Sequence, residues 1–113
     1  MGYERLYASQ APTREEVDTL QGAVVLEFGT NWCGHCSTAQ GAIETAFAAH
    51  PRVPHLKVED GRGRPLGRSF GIKLWPTLVF LRDGREQART VRPDRADEVA
   101  AGLSRITDDD APA

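Results

Sequence analysis

Two apolar runs of strand length stand out along the chain, Ala23-Val24-Val25-Leu26-Glu27-Phe28 and Thr77-Leu78-Val79-Phe80-Leu81. Near-continuous runs of this kind predict strands covered on both faces, and Glu27 is the one acid inside the first. Between them, Ala39, Ala42, Ile43, Ala46 and Phe47 fall at i, i+3, i+4, i+7 and i+8. That is the stripe of a helix laid on a sheet. Pro51 is expected to end this helix, and Val53 to Val58 predicts the next strand, so a strand-helix-strand unit with parallel strands is expected. After the second run, Asp83-Gly84 is a two-residue turn signal and Arg85 to Val91 returns as an antiparallel partner. Pro93 opens a last helix striped by Ala96, Val99, Ala100, Leu103 and Ile106.

Ahead of the first run, Thr13 and Glu16 have capping-box spacing, which predicts a short helix through about Leu20, ended by Gln21-Gly22. Tyr3 to Ala8 reads as a short edge strand. Gly61, Gly63, Pro65 and Gly67 mark an arginine-rich loop that leads into a helical turn near Leu66 to Phe70. Residues 1–107 are therefore expected to form one domain. Residues 108–113 begin with three aspartates that oppose the dipole of the preceding helix, so a flexible acidic tail is expected there.

With 113 residues, 40 % hydrophobic and 27 % charged, the chain has material for one core. A net charge of −2 and arginines spread without interleaved aromatics argue against a nucleic-acid partner. No stretch approaches the roughly 18 apolar residues of a membrane span. The first residues lack the charged and apolar regions of a secretory signal, so a cytoplasmic address is expected, with an already processed extracytoplasmic chain as the alternative. In a reducing compartment a lone cysteine pair points to catalysis or metal binding rather than to a structural staple.

That pair is Cys33 and Cys36, in Trp32-Cys33-Gly34-His35-Cys36, placed between a strand and a helix. Two thiols this close form an intramolecular disulfide, so one can attack a substrate disulfide and the other can release the mixed disulfide. A sulfur at a helix N-terminus meets unpaired amides and the positive end of the dipole, which favours the thiolate. Holding the reduced form lower by about 1.4 kcal/mol raises the reduction potential by roughly 30 mV. His35, between the cysteines, would add a donor or a positive charge beside the thiolate. A zinc site is the competing reading, since Cys33, Cys36, His50 and His55 have finger-like spacing. A helix from Cys36 to His50 would hold those two residues roughly 21 Å apart, which forbids one tetrahedral site. Read singly, His50 is a helix-end cation and His55 a surface residue at a strand start.

Taken with Leu26-Glu27-Phe28, Phe70-Gly71-Ile72, Trp75-Pro76-Thr77 and the Asp83-Gly84 turn, the Cys33–Cys36 segment resembles the thioredoxin family over about residues 20 to 106. The resemblance implies an α/β, thioredoxin-like fold with a central mixed β-sheet flanked by helices on both faces. It implies a thiol–disulfide oxidoreductase with Cys33 as nucleophile and Cys36 as resolving thiol. Glu27 stands where thioredoxins have a buried Asp and disulfide isomerases a Glu. Desolvation is expected to raise its pKa and make it the proton acceptor for Cys36; otherwise it is a strand-end acid in a surface ion pair. Trp32, Gly34 and His35 support the active-site loop, with Trp32 as its packing wall first and a direct substrate contact second. Pro76 resembles the family's cis-proline, and Trp75, Pro76 and Thr77 would face substrate, with a core role for Trp75 the alternative.

The resemblance implies no cofactor and no metal, disulfide-containing proteins as substrates, a thioredoxin reductase as a partner, and a monomer. Thioredoxins usually carry Pro at the place of His35, whereas Cys-Gly-His-Cys looks like the more oxidising isomerases. The expected compartment favours a reductase-type exchanger with an unusually oxidising potential; an oxidase or isomerase type, and a non-enzymatic binding module, are the alternatives. Three departures accompany the match: Gly29 where thioredoxins often have Trp, Gly41 in place of a helix-kinking Pro, and Arg92 where they place a small Gly.

Overall fold

In the computed structural model residues 2–107 are described; the acidic tail expected at 108–113 lies outside the described residues. Strands β1 (Ala23–Gly29), β2 (His55–Glu59), β3 (Thr77–Arg82) and β4 (Arg85–Val91) form one mixed sheet in the order β2-β1-β3-β4. The pair β1–β2 is parallel, with Glu27 opposite Lys57 and Val25 opposite His55. β3 runs antiparallel to both β1 and β4. Asp83 and Gly84 both take positive φ in the hairpin turn, as a two-residue hairpin loop demands. A register shift between Phe80 and Leu81 leaves Gln87 unpaired on β4.

β1 is buried on both sides because its alternate residues feed two separate cores. Val25 packs with Leu78 and Phe80 of β3 against Ala39, Ile43, Ala46 and Phe47 of helix α2 (Gly34–Phe47) and Val99, Leu103 and Ile106 of helix α4 (Ala96–Thr107). Val24, Leu26 and Phe28 face the other way, toward Val17 of helix α1 (Arg14–Asp18) and Leu66 and Phe70 around helix α3 (Pro65–Ser69). Helices therefore cover both faces. Glu27 shares the α2 side of the strand with Val25, by the two-residue alternation of a strand. None of these helices is long and apolar enough to cross a membrane, among the described residues.

The Thr13–Glu16 capping box forms as expected and starts α1. Three boundaries differ from the sequence reading. Residues 3–8 do not make a strand: only Gly2 and Ala8 bridge the outer edge of β2, at Pro54 and Val58. Between those bridges the backbone amides of Glu4 and Tyr7 go instead to the side chains of His55 and Asn31. Helix α2 stops at Phe47, short of Pro51, and turns through hydrogen bonds from His50 N to Phe47 O and from Val53 N to His50 O. Helix α4 begins at Ala96 rather than at Pro93, because Glu98 Oε1 accepts the Asp94 and Arg95 amides and fixes the start beyond the proline.

Helix α4 lies close on the sheet at Gly102, where a Cβ would come 2.3 Å from Cε2 of the fully buried Phe80 ring. In an open helix, Gly to Ala gains about 1 kcal/mol. Overpacking a filled core costs about 1–3 kcal/mol. Because the contact falls on a ring enclosed by both helices, the overpacking dominates. Gly102→Ala is expected to lower the unfolding free energy by up to about 2 kcal/mol in urea titration, against the helix-propensity expectation of a gain.

Candidate active site

Cys33 is the N-cap of α2, in extended conformation, and its Sγ accepts the Cys36 N–H at 3.2 Å. The sulfur thus takes up an amide that the start of a helix leaves without an internal partner. Both cysteines are free thiols; Cys33 is half-buried and Cys36 is 1 % exposed. One sulfur is partly open to solvent, and the other is covered. Burial pushes the Cys36 thiol up to about 11, assisted by its hydrogen bond with Cys33, while the Thr30 amide and the Tyr7 hydroxyl pull it the other way. Gly34, the first helical residue, has open space around it. His35 is exposed on the first turn. It forms no hydrogen bond with either sulfur among the described residues, contrary to the expectation from its position.

Glu27 is the polar centre of the α2 side of the sheet. It is fully buried, not a strand-end surface acid. Its Oε1 lies 2.8 Å from His55 Nε2; its Oε2 accepts Gln40 Nε2 at 2.9 Å and the Tyr7 hydroxyl, and lies 3.9 Å from Lys57 Nζ. His55 Nδ1 accepts the Glu4 amide at 2.9 Å, so the proton is on Nε2 and is donated to the carboxylate. The expectation of a raised pKa for Glu27 is overturned. Burial does push it up, but the His55 hydrogen bond, the Lys57 charge and the Tyr7 hydrogen bond outweigh burial and hold the carboxyl below its usual range. Lys57, also buried, is pushed down by its own desolvation, with Glu27 opposing. Its ammonium is held by Arg5 O at 2.7 Å and Gln40 Oε1 at 2.8 Å.

The expected surface position of His55 is likewise corrected: it is buried, stacked on Phe47, and both ring nitrogens are engaged. His50 lies beyond the other end of α2. The four residues of the zinc reading are therefore not gathered at one point.

On the opposite side of the cysteines, Trp32 is 76 % exposed, so it is a projecting surface rather than a packing wall. It meets Trp75 edge-on, with ring centroids 5.9 Å apart. Trp75 is half-buried and its Nε1 donates to Asp60 Oδ2 at 2.9 Å. The Trp75–Pro76 peptide is cis, in line with the resemblance. Thr77 is buried, with its hydroxyl on Leu74 O. Arg92, at φ 50°, donates Nε to the Trp75 carbonyl at 2.8 Å, and its own amide goes to Pro76 O.

Tyr7, Gln40, His55 and Lys57 complete the site, and sequence reasoning assigned none of them to it. The available signals were a lysine in a buried strand facing an acid in its neighbour, and a glycine at position 29 where the family often has a large ring. A Cβ on Gly29 would come 2.6 Å from Cys36 Sγ and 2.7 Å from the Tyr7 hydroxyl oxygen. The phenol fills the space that the missing side chain leaves.

Comparison with known proteins agrees with this geometry. A family model described as Thioredoxin matches residues 6–105. The chain is 51 % identical to thioredoxin 2 from Pseudomonas aeruginosa PAO1 in its reduced form, with a TM-score of 0.84, over 95 % of this chain and 99 % of that one. It is 37 % identical over 71 residues to a thioredoxin of Chlamydia muridarum, which covers 62 % of this chain and 69 % of that protein. It is 32 % identical over 85 residues to protein disulfide-isomerase A3 of Gallus gallus, covering 74 % of this chain and 17 % of that protein.

Two outcomes are expected from the site's electrostatics. With Cys36 pushed up to about 11, about one in a thousand of its thiols is ionised at pH 8. Iodoacetamide at that pH is expected to place one label on the reduced protein, at Cys33, with a second only in urea or as the pH approaches 11; peptide mass spectrometry reads this, and simultaneous double labelling at pH 8 contradicts it. For Glu27 the folded-state pKa is depressed, so its contribution to stability is complete above the usual value of 4.5 and is lost as pH falls through the lower folded value. Unfolding free energies measured from pH 6 downward are expected to fall more steeply in the native protein than in Glu27→Gln over the range from 4.5 down to the lower folded value.

Proposed function

This chain belongs to the thioredoxin family and is a protein thiol–disulfide oxidoreductase, and we propose that it works as the reductase type, with Cys33 as nucleophile and Cys36 as resolving thiol. The observation that carries the reading is the asymmetry of the two sulfurs: one at the mouth of the helix and reachable, one buried behind it. The Cys33 thiolate attacks one sulfur of a protein disulfide, forming a mixed disulfide and expelling the other sulfur as a thiolate. Cys36 then attacks the Cys33 sulfur. The Cys33–Cys36 disulfide forms, the bond to the substrate breaks, and two electrons have passed from the dithiol to the substrate.

Before that second attack Cys36 must lose a proton it holds firmly, since burial pushes its thiol up to about 11. Glu27, held ionised, is the proton acceptor in this reading. A carboxylate with a low pKa is a weak base, so the transfer is completed by the attack itself, which consumes the thiolate as it forms. Trp32 and Trp75 offer an apolar rim beside Cys33, and the backbone around Trp75, Pro76 and Thr77 is the substrate-facing strand end. An incoming strand that pairs with the Trp75 carbonyl has to displace Arg92, which sets this surface apart from one with a small residue there.

Disulfide-bearing proteins are the substrates, a thioredoxin reductase the electron donor, and the cytoplasm the working compartment in this proposal, with the domain acting as a monomer. The isomerase type is the second reading, favoured by the Gly34-His35 pair between the cysteines. The exposed His35 ring leaves stabilisation of the thiolate mainly to the amides of α2. Equilibration with glutathione buffers is therefore expected to give a potential above the roughly −270 mV of thioredoxin and below the roughly −180 mV of protein disulfide isomerase. A value at or above the latter overturns the reductase reading in favour of an oxidant or isomerase.

A further inference from the structure

We propose that the Tyr7 hydroxyl carries the proton from Cys36 to Glu27 in the step that releases the reduced substrate. The inference rests on the proposed role of Glu27 as the final acceptor and supplies the path to it. Tyr7 is the residue that lies beside both ends, among the described residues: its hydroxyl donates to Glu27 Oε2, and its oxygen and the Cys36 sulfur flank one point, 2.7 Å and 2.6 Å from where a Cβ on Gly29 would stand. The carboxylate already accepts three hydrogen bonds, from His55 on Oε1 and from Tyr7 and Gln40 on Oε2. Gln40 reaches Cys36 only at its backbone carbonyl, 2.9 Å away, and an amide is a poor proton carrier beside a hydroxyl.

The phenol is built into this position. A two-point clamp holds its backbone to the active-site loop: Tyr7 N donates to Asn31 Oδ1 at 2.9 Å and Asn31 Nδ2 to Tyr7 O at 3.1 Å. Lys57 Nζ lies 4.3 Å from the ring centroid, a cation–π contact that fixes the ring plane. Gly29 opens the space in which sulfur and phenol oxygen meet, since any larger residue there would push into both. The phenol pKa is pushed far up by burial and by Glu27, so the hydroxyl keeps a proton at rest.

In the release step the Cys36 S–H proton moves to the Tyr7 oxygen as the original hydroxyl proton moves to Glu27 Oε2. The Cys36 sulfur, left with the electron pair of its S–H bond, bonds to Cys33 Sγ. The Cys33–substrate bond breaks, and the leaving thiolate takes its proton from solvent. Tyr7 is neutral before and after, and Glu27 ends protonated and returns its proton along the same path when the disulfide is reduced again. No phenolate need accumulate.

The test is rapid acid quench of the reduced protein with a disulfide-bearing peptide, which resolves formation and decay of the mixed disulfide by mass. Tyr7→Phe keeps the ring and its contact with Lys57. It is expected to leave formation by Cys33 unchanged and to slow decay about a hundredfold, the lower end for a positioned proton-transfer group. Glu27→Gln is expected to slow decay as well, and the double variant to be no slower than the slower single variant, since both remove one path. Decay at the native rate in Tyr7→Phe with slow decay in Glu27→Gln overturns the relay and leaves the acceptor role standing. Native decay in both overturns the acceptor role and the relay together. Slowing of formation as much as of decay makes Tyr7 a packing residue and also overturns the relay. Should Tyr7→Phe not fold, a proton inventory on the native protein decides: curved dependence of the decay rate on deuterium fraction shows two protons in flight, and a linear one overturns the relay.

Discussion

A carboxylate buried in the middle of a sheet is the constraint around which one end of this protein is built. Left without partners, a buried charge costs about 3–5 kcal/mol, a large part of the roughly 5–15 kcal/mol by which a domain is stable. Glu27 avoids that cost through four side chains drawn from three different parts of the chain: Tyr7 from the N-terminal segment, Gln40 from α2, and His55 and Lys57 from β2. Three of these are satisfied in turn by backbone groups, Glu4 N for His55, Arg5 O for Lys57 and Cys36 O for Gln40. The network therefore ties the N-terminal segment and α2 to the sheet at the level of the cysteines.

That tie explains why the two sulfurs differ. Helix α2 begins at Cys33 and runs back over the sheet, so the residue one turn in, Cys36, is pressed toward the polar centre while Cys33 stays at the rim. The geometry that buries Cys36 raises its pKa, and the same geometry places it beside the Tyr7 hydroxyl. Elsewhere around the cysteines, Trp32 projects against the half-buried Trp75, and Arg92 holds the carbonyl before the cis-proline.

Most of the fold was legible in the chain. The two apolar runs are β1 and β3, the alanine-rich stripe is α2, and the aspartate-glycine turn closes the β3–β4 hairpin. These rest on local rules, burial on both faces, helical period and turn chemistry, which act within a dozen residues. The failures share one cause. Residues 3–8 alternate like a strand, yet their amides serve His55 and Asn31 rather than a ladder. His55 looks like a surface residue at a strand start because nothing near it in sequence shows Glu27 lying beside it. For Glu27, desolvation alone was visible, and desolvation alone gives the wrong direction of shift.

What the sequence by itself determined was the dithiol, its place at the start of a helix, and the order of strands and helices, because each depends on residues close together along the backbone. What only the tertiary structure decided was the company the dithiol keeps. Tyr7, Gln40, His55 and Lys57 come from segments up to some fifty residues apart and meet on one carboxylate only after the sheet has paired β1 with β2 and laid α2 across it. Charge and proton affinity inside a protein are set by neighbours in space, through burial, hydrogen bonds and Coulomb interaction, and neighbours in space are a property of the fold.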